Sequence, residues 1–86
     1  MFEEKIDELY RLFKEVKKNT KAHVVLYSST GSTCLYIWDK GFDAEKYSDA
    51  DYTLYETEVL KEETEQQYKL AKAHLERLLK EARDEK

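Results

Sequence analysis

The sequence predicts an α+β fold of order α-β-β-β-α, in which two helices pack on one face of a small antiparallel sheet. Three observations predict it: a helical apolar stripe near the N-terminus, a switch to alternating apolar residues at position 23, and a second helical stripe toward the C-terminus. The 86 residues are 41% hydrophobic, which suffices for one core, since chains of this size rarely bury two. We therefore expect residues 1–86 to form a single small domain.

The first predicted helix covers residues 2–18. Apolar residues recur there at steps of four and three, at Phe2, Ile6, Leu9, Phe13 and Val16. This spacing places them in one stripe on a helix. Acidic residues begin the segment and lysines end it, which suits the helix dipole. Asn19 is expected to end the helix in the left-handed conformation.

The segment 23–38 is typical of a β-hairpin with Thr30 and Gly31 as its turn residues. Antiparallel register then pairs Ser29 with Ser32 at one end and His23 with Trp38 at the other. One face, expected to meet the helices, carries Val24, Leu26, Leu35 and Ile37. The opposite face carries His23, Val25, Tyr27, Cys34, Tyr36 and Trp38. Both faces are therefore rich in apolar surface, and the second needs a cover.

The connection to the last helix leaves two alternatives open. Ser48 could cap a helix that continues to the C-terminus. The composition of residues 51–56 instead predicts a third strand, with Leu54 on the aliphatic face and Tyr55 on the aromatic face. On a helical wheel Tyr52 and Tyr55 lie roughly 120 to 180° from the stripe of the last helix, so one continuous helix would bury two opposite sides. We therefore favour the strand.

The last helix is predicted over residues 57–84. Its apolar stripe consists of Leu60, Thr64, Tyr68, Ala71, Leu75, Leu78 and Ala82. Such a helix would be about 42 Å long, which exceeds the roughly 30 Å diameter of a compact chain of this size. We therefore expect another molecule to cover part of this helix. Without such a cover, residues 80–86 are expected to fray.

Charge is distributed unevenly along the chain. The net charge is -4, but residues 39–65 hold ten acidic residues and three lysines, a local charge of -7. Because phosphate contacts need clustered lysine and arginine, this pattern argues against a nucleic-acid partner and favours a basic protein.

No run approaches 18 apolar residues, and the acidic N-terminus is unlike a signal peptide, so we expect a cytoplasmic protein without membrane contact.

No catalytic, metal-binding or cofactor-binding motif is present, and we therefore predict a protein without enzymatic activity, metal or cofactor. The acidic residues 49–56 lack the glycine and the third oxygen ligand of a calcium loop. One cysteine and two histidines are too few for a structural zinc site. Cys34 and His23 share a predicted face but lie roughly 13 Å apart, too far for a nucleophile and its base. His74 is expected to be a solvated helix residue.

Tyrosine and tryptophan on the second sheet face favour a protein interface, because these side chains combine large apolar area with a polar tip. The predicted interface consists of His23, Val25, Tyr27, Tyr36, Trp38 and Tyr55. Strands also favour aromatic residues for packing alone, and both explanations stay open. The expected partner is a second copy, in a homodimer formed through this face or the long helix, or a basic protein.

Two further alternatives stay open. Short, acidic, proline-free composition is similar in general character to accessory proteins of phages and mobile elements, which implies an inhibitor of a host enzyme or of a nucleic-acid-binding protein. The other alternative is a small-ligand binder or enzyme with its site between subunits. So short a chain seldom encloses a pocket of about 300 Å³ by itself.

Overall fold

The computed structural model describes residues 2–45 and 47–84, except for the side chain of Phe2. Its elements are helix α1 at Phe2–Asn19, strands β1 at His23–Ser29, β2 at Ser32–Trp38 and β3 at Ala50–Tyr55, a 3-10 turn at Glu58–Leu60, and helix α2 at Lys61–Asp84. The predicted α-β-β-β-α order is confirmed. Helix α1 lies over β1 and helix α2 over β3, and the two helices contact each other.

Helix α1 buries one side, which carries Leu9, Leu12 and Val16. Its C-terminal end differs from the prediction, because no described residue other than glycine has a positive φ and Asn19 is therefore not left-handed. Thr20 ends the helix instead. Its hydroxyl donates to the carbonyl of Val16 at 2.8 Å and accepts from the N–H of Ala22 at 3.1 Å. A side chain thus satisfies a terminal carbonyl of the helix.

The three strands form one antiparallel sheet in the order β1-β2-β3. Strands β1 and β2 pair in the predicted register, with Ser29 opposite Ser32 and His23 opposite Trp38. Gly31 supplies the positive φ of the turn, 86°. The turn and the alternation of apolar residues both set this register. A shift of one residue would move the aliphatic side chains to the opposite face of the sheet.

Strand β3 pairs with the other side of β2, and residues 50–55 are a strand rather than part of a helix beginning at Ser48. A strand accommodates this segment because alternate residues of a strand share a face. Tyr52 and Leu54 both point toward the helices, and Tyr55 lies on the opposite face, as predicted for Leu54 and Tyr55.

Side chains of α2 satisfy the outer backbone groups of β3, which is an edge of the sheet. The Thr64 hydroxyl accepts from the N–H of Tyr55 at 2.9 Å and donates to the Tyr55 carbonyl at 3.1 Å. The Gln67 amide oxygen accepts from the N–H of Thr53 at 3.4 Å. Thr64 is therefore buried on an otherwise apolar stripe because its hydroxyl is paired there.

The core lies between the helices and one face of the sheet. Its sheet residues are Val24, Leu35, Ile37 and Leu54, and its α2 residues are Ala71, Leu75, Leu78 and Leu79. Leu26, predicted for the same face, is half-buried and packs at the margin of this cluster. The aliphatic face of the sheet is thus covered by the chain's own helices.

Most of helix α2 is covered within its own domain, although a spherical shape predicted that the helix would exceed it. Its 24 residues span about 36 Å, and the molecule is elongated, 42 × 27 × 17 Å. Buried side chains run from Thr64 to Leu79, so most of the helix is covered within the chain. The helix continues through Asp84, and residues 85–86 of the predicted frayed end lie outside the described residues.

A side chain is tolerated less well at Gly41 than at Gly31, although both glycines have positive φ. A Cβ at Gly41, where φ is 104°, would lie 3.3 Å from the carbonyl oxygen of Lys21, whereas a Cβ at Gly31 meets nothing within 4 Å. We expect Gly31→Ala to lower the free energy of unfolding by about 1 kcal/mol, the cost of a left-handed alanine. Gly41→Ala should lower it further, measured by urea unfolding. Equal costs for the two variants would contradict the importance of the Lys21 contact.

Candidate interaction surface

Among residues 2–45 and 47–84, neither helix covers the face of the sheet that points away from α1 and α2. We call it the open face, and its residues are His23, Val25 and Tyr27 on β1, Cys34, Tyr36 and Trp38 on β2, and Asp51, Thr53 and Tyr55 on β3. Tyr27 is 61% exposed and Val25 is 36% exposed. All six residues of the predicted interface therefore lie on one face.

The six residues do not form one cluster. His23 and Trp38 face each other at one end of the sheet, whereas Tyr55 lies opposite Ser32 at the other end. Trp38 lies six residue steps along the strand from Ser32, which corresponds to roughly 20 Å. Tyr55 instead borders the beginning of α2, where Thr64 binds its backbone. The aromatic surface is therefore concentrated near Trp38.

Phe42, which lies in the connection after β2, joins this aromatic end. Its ring centroid lies 5.2 Å from that of His23 and 5.4 Å from that of Trp38, both in edge-on geometry, and His23 and Trp38 are 5.3 Å apart. Aromatic pairs prefer such tilted arrangements. Phe42 is nevertheless 62% exposed, so the three rings form a surface and not a second core.

A groove of about 580 Å³ runs between the open face and the connection after β2. We call it the aromatic groove. Its rings are those of Tyr36, Trp38, Phe42 and Tyr47, and its other lining residues are Asp43, Ala44, Ser48, Ala50 and Asp51. It is open to solvent along its length. Four aromatic side chains and two carboxylates therefore face one space.

The wall of the aromatic groove formed by the connection is held at both ends. The N–H of Asp49 donates to the carbonyl of Ile37 at 2.8 Å, and the Asp49 carboxylate accepts from the N–H of Asp39 at 2.8 Å. The Asp43 carboxylate accepts from the N–H of Glu45 at 3.0 Å. These bonds place the connection across the end of the sheet and anchor it there.

Cys34 lies next to Tyr36 on the open face but outside the lining of the groove. Its sulfur lies 3.6 Å from the hydroxyl of Thr53, and the confirmed register keeps it four residues along the strand from the position opposite His23. Cys34 raises the pKa of its neighbour Tyr36, first through the charge of the ionised sulfur and then through a hydrogen bond. Tyr36 therefore presents a neutral phenol to the groove.

His74 was expected in solvent, and this prediction is wrong. The side chain is only 9% exposed. Its Nδ1 lies 2.9 Å from the Tyr52 hydroxyl, and its Nε2 lies 2.7 Å from the Asp39 carboxylate. Arg77 donates to the other Asp39 oxygen at 3.1 Å. The sequence contained a weak signal, since His74 lies about 60° from Ala71 on the helical wheel, at the margin of the buried stripe.

The contacts of Tyr52, His74 and Asp39 follow the order hydroxyl, imidazole, carboxylate that is known from hydrolytic triads. The hydroxyl is a phenol, however, and its pKa is raised by burial, an effect that Arg77 opposes and that Asp39 and Asp51 reinforce. A nucleophile needs the opposite shift. This chain of hydrogen bonds instead joins the end of β2 to β3 and α2, and it favours a structural role.

Within residues 2–45 and 47–84, no group of three or more histidine, cysteine, aspartate or glutamate side chains is arranged to hold a metal ion. Neither α1 nor α2, as described, has a stretch that is long and apolar enough to cross a bilayer. Neither finding assigns a function.

No protein-family model matches this chain, and no curated protein or solved structure matches it. Function is therefore inferred from the surface of this chain alone.

Proposed function

We propose that this chain is a non-enzymatic protein-binding module that receives a partner protein on its open face. The observation that carries the proposal is the contrast between the two faces of one sheet. The aliphatic face is buried by α1 and α2, whereas the open face keeps Tyr27, Tyr36 and Trp38 wholly or partly in solvent, with the exposed Phe42 beside them. Tyrosine and tryptophan in such a position are the residues that contribute most to protein interfaces.

Charge favours a basic partner. Asp43, Glu45 and Asp51 are exposed at the end of the sheet where the aromatic residues are concentrated. Residues 39–51, which lead from the end of β2 into β3, hold five acidic residues and two lysines, a local charge of -3. Complementary charge at an interface raises the association rate and excludes wrong partners more than it adds affinity. A basic protein would therefore approach this face selectively.

A second copy of the chain is the other candidate partner, as the sequence predicted. It would cover the same apolar area, but each copy has a net charge of -4, and like charge opposes self-association. Helix α2 offers a second copy little apolar surface, because its exposed leucine is Leu70 and its buried stripe already packs within the chain. We therefore place a basic partner before a homodimer.

The test compares retention of partners by three versions of the chain on an affinity column. The variant Tyr36→Ser with Trp38→Ser removes two aromatic side chains from the open face. Leu70→Ser, on the outer side of α2, is the matched control. We expect the wild type and the control to retain the same protein from native lysate. Once purified, this protein should bind the double variant at least about 30-fold more weakly than the wild type, the loss typical of an aromatic hot spot.

Equal binding of the purified partner by the double variant would contradict the proposal, as would the absence of any specifically retained protein. Circular dichroism must show that the double variant is folded, and Tyr27→Ser provides a second variant because Tyr27 is more exposed. Light scattering tests the competing partner. A mass of 10.3 kDa at micromolar concentration would show a monomer, whose open face is available to another protein. A dimer that Tyr27→Ser dissociates would show that a second copy binds the open face.

A further inference from the structure

We propose that the aromatic groove receives the side chain of a lysine or arginine from a basic segment of the partner. This inference rests on the proposed function, and it names the chemistry by which the open face recognises that partner. The groove combines ring faces with carboxylates in one space, and each alternative class of side chain satisfies only part of that environment.

The rings would bind the cation through their faces. A cation within about 6 Å of an aromatic centroid is attracted by the ring, most strongly by tryptophan. The chain already uses this contact on α1, where the Lys14 ammonium lies 4.9 Å from the centroid of Tyr10. In the groove, Trp38 and Phe42 lie at 64° to each other, with Tyr36 and Tyr47 in the same lining. Each ring face that is open to the groove would attract a cation.

The carboxylates decide between a cation and an apolar side chain. Asp51 lies opposite Tyr36 in the sheet, and Asp43 lies on the other wall, in the connection. A leucine in the groove would remove water from these carboxylates without replacing it, which costs free energy. An acidic or phosphorylated side chain would be repelled by them. A lysine or arginine side chain satisfies both walls, because its methylene groups contact the rings while its charge meets the carboxylates.

The groove has room for one long side chain, and one of its walls is anchored to the sheet. Its volume of about 580 Å³ is within the range of sites that bind small ligands. The connection that forms one wall is tied to the sheet through Asp39 and Asp49. A wall anchored in this way reduces the entropy cost of ordering a loop on binding.

Fluorescence of Trp38 gives a direct test, because Trp38 is the single tryptophan of the chain. The probes are glycine-flanked peptides that differ at two adjacent positions, which hold lysine, arginine, trimethyl-lysine or norleucine. Norleucine is the uncharged counterpart of lysine. We expect saturable changes with the three cationic peptides, with a Kd on the order of 1 mM or tighter, and binding of the norleucine peptide at least about tenfold weaker.

Variants of the acidic residues separate a specific site from general attraction. Asp51→Asn should weaken the lysine peptide by about two- to fivefold, the range of an exposed ion pair. Asp43→Asn combined with Asp51→Asn should reduce the preference for lysine over norleucine to the part that the rings supply. Glu76→Gln, at an exposed position of α2, changes the net charge by the same amount as Asp51→Asn and should leave binding unchanged.

Three outcomes would overturn the inference: equal binding of norleucine and lysine peptides, no saturable binding of any cationic peptide, or an equal effect of Glu76→Gln and Asp51→Asn. The proposed function fails separately. If the peptides do not bind but a purified partner still loses affinity for the variant with Tyr36→Ser and Trp38→Ser, the open face is an interface and the groove is not its cation site.

Discussion

Leu35→Ala is expected to lower the free energy of unfolding by about 2–5 kcal/mol, the range for leucine replaced in a packed core. Leu35 lies in the central strand β2, is 0% exposed, and points toward the helices. Its removal would leave a cavity between the sheet and both helices. Urea unfolding followed by circular dichroism would show a lower midpoint with an unchanged slope. If Leu35→Ala fails to fold, Ile37→Val gives a milder version, with an expected loss of about 0.5–1.5 kcal/mol.

Val25→Ala is the matched control for Leu35→Ala, because it removes an aliphatic side chain from the open face of the same sheet. Val25 is 36% exposed, and we expect its replacement to cost less than about 1 kcal/mol, the scale of strand propensity. A loss as large as that of Leu35→Ala would mean that the open face is buried in solution. Light scattering on the same sample would then show whether a second copy covers it.

His74→Ala is expected to lower the free energy of unfolding by about 1–3 kcal/mol, the cost of leaving buried polar groups without their partner. The imidazole contacts the Tyr52 hydroxyl at 2.9 Å and the Asp39 carboxylate at 2.7 Å. Both groups would lose a hydrogen bond that water cannot fully replace at a partly buried site. The measurement is again urea unfolding at neutral pH.

The chain contains one other histidine, which makes a control for His74→Ala. His23 is exposed on the open face, and its ring contacts Trp38 and Phe42. We expect His23→Ala to cost less than about 1 kcal/mol and to weaken partner binding, whereas His74→Ala should leave binding unchanged wherever the chain is still folded. The reverse order of stability effects would contradict the structural role of His74.

The parts of the fold that the sequence predicts well depend on neighbours along the chain. The stripe of α1 follows from its spacing, and the hairpin register follows from the turn at Thr30 and Gly31 together with the alternation around it. Strand β3 was distinguished from a helix because Tyr52 and Tyr55 lie on the wrong side of the wheel. In each case the periodicity of the element itself carries the information.

The parts that the sequence did not predict depend on contacts between distant residues. His74 is 35 residues from Asp39, and nothing in the local pattern of α2 indicates that pair. Phe42 joins the aromatic end of the open face because the chain turns at Gly41 and returns across the sheet, which composition does not show. The length of α2 that was expected to need another molecule as a cover was overestimated. A spherical shape was assumed, whereas the chain folds into an elongated one.

The side chains that bind the outer backbone of β3 also limit how chains of this protein can associate. An unpaired sheet edge invites strands from other molecules, but Thr64 and Gln67 already occupy the N–H groups of Tyr55 and Thr53. An added strand would therefore enter along β1. Two chains joined through β1 would have β3 at both outer edges of the combined sheet, so growth would end there and would not continue into a filament.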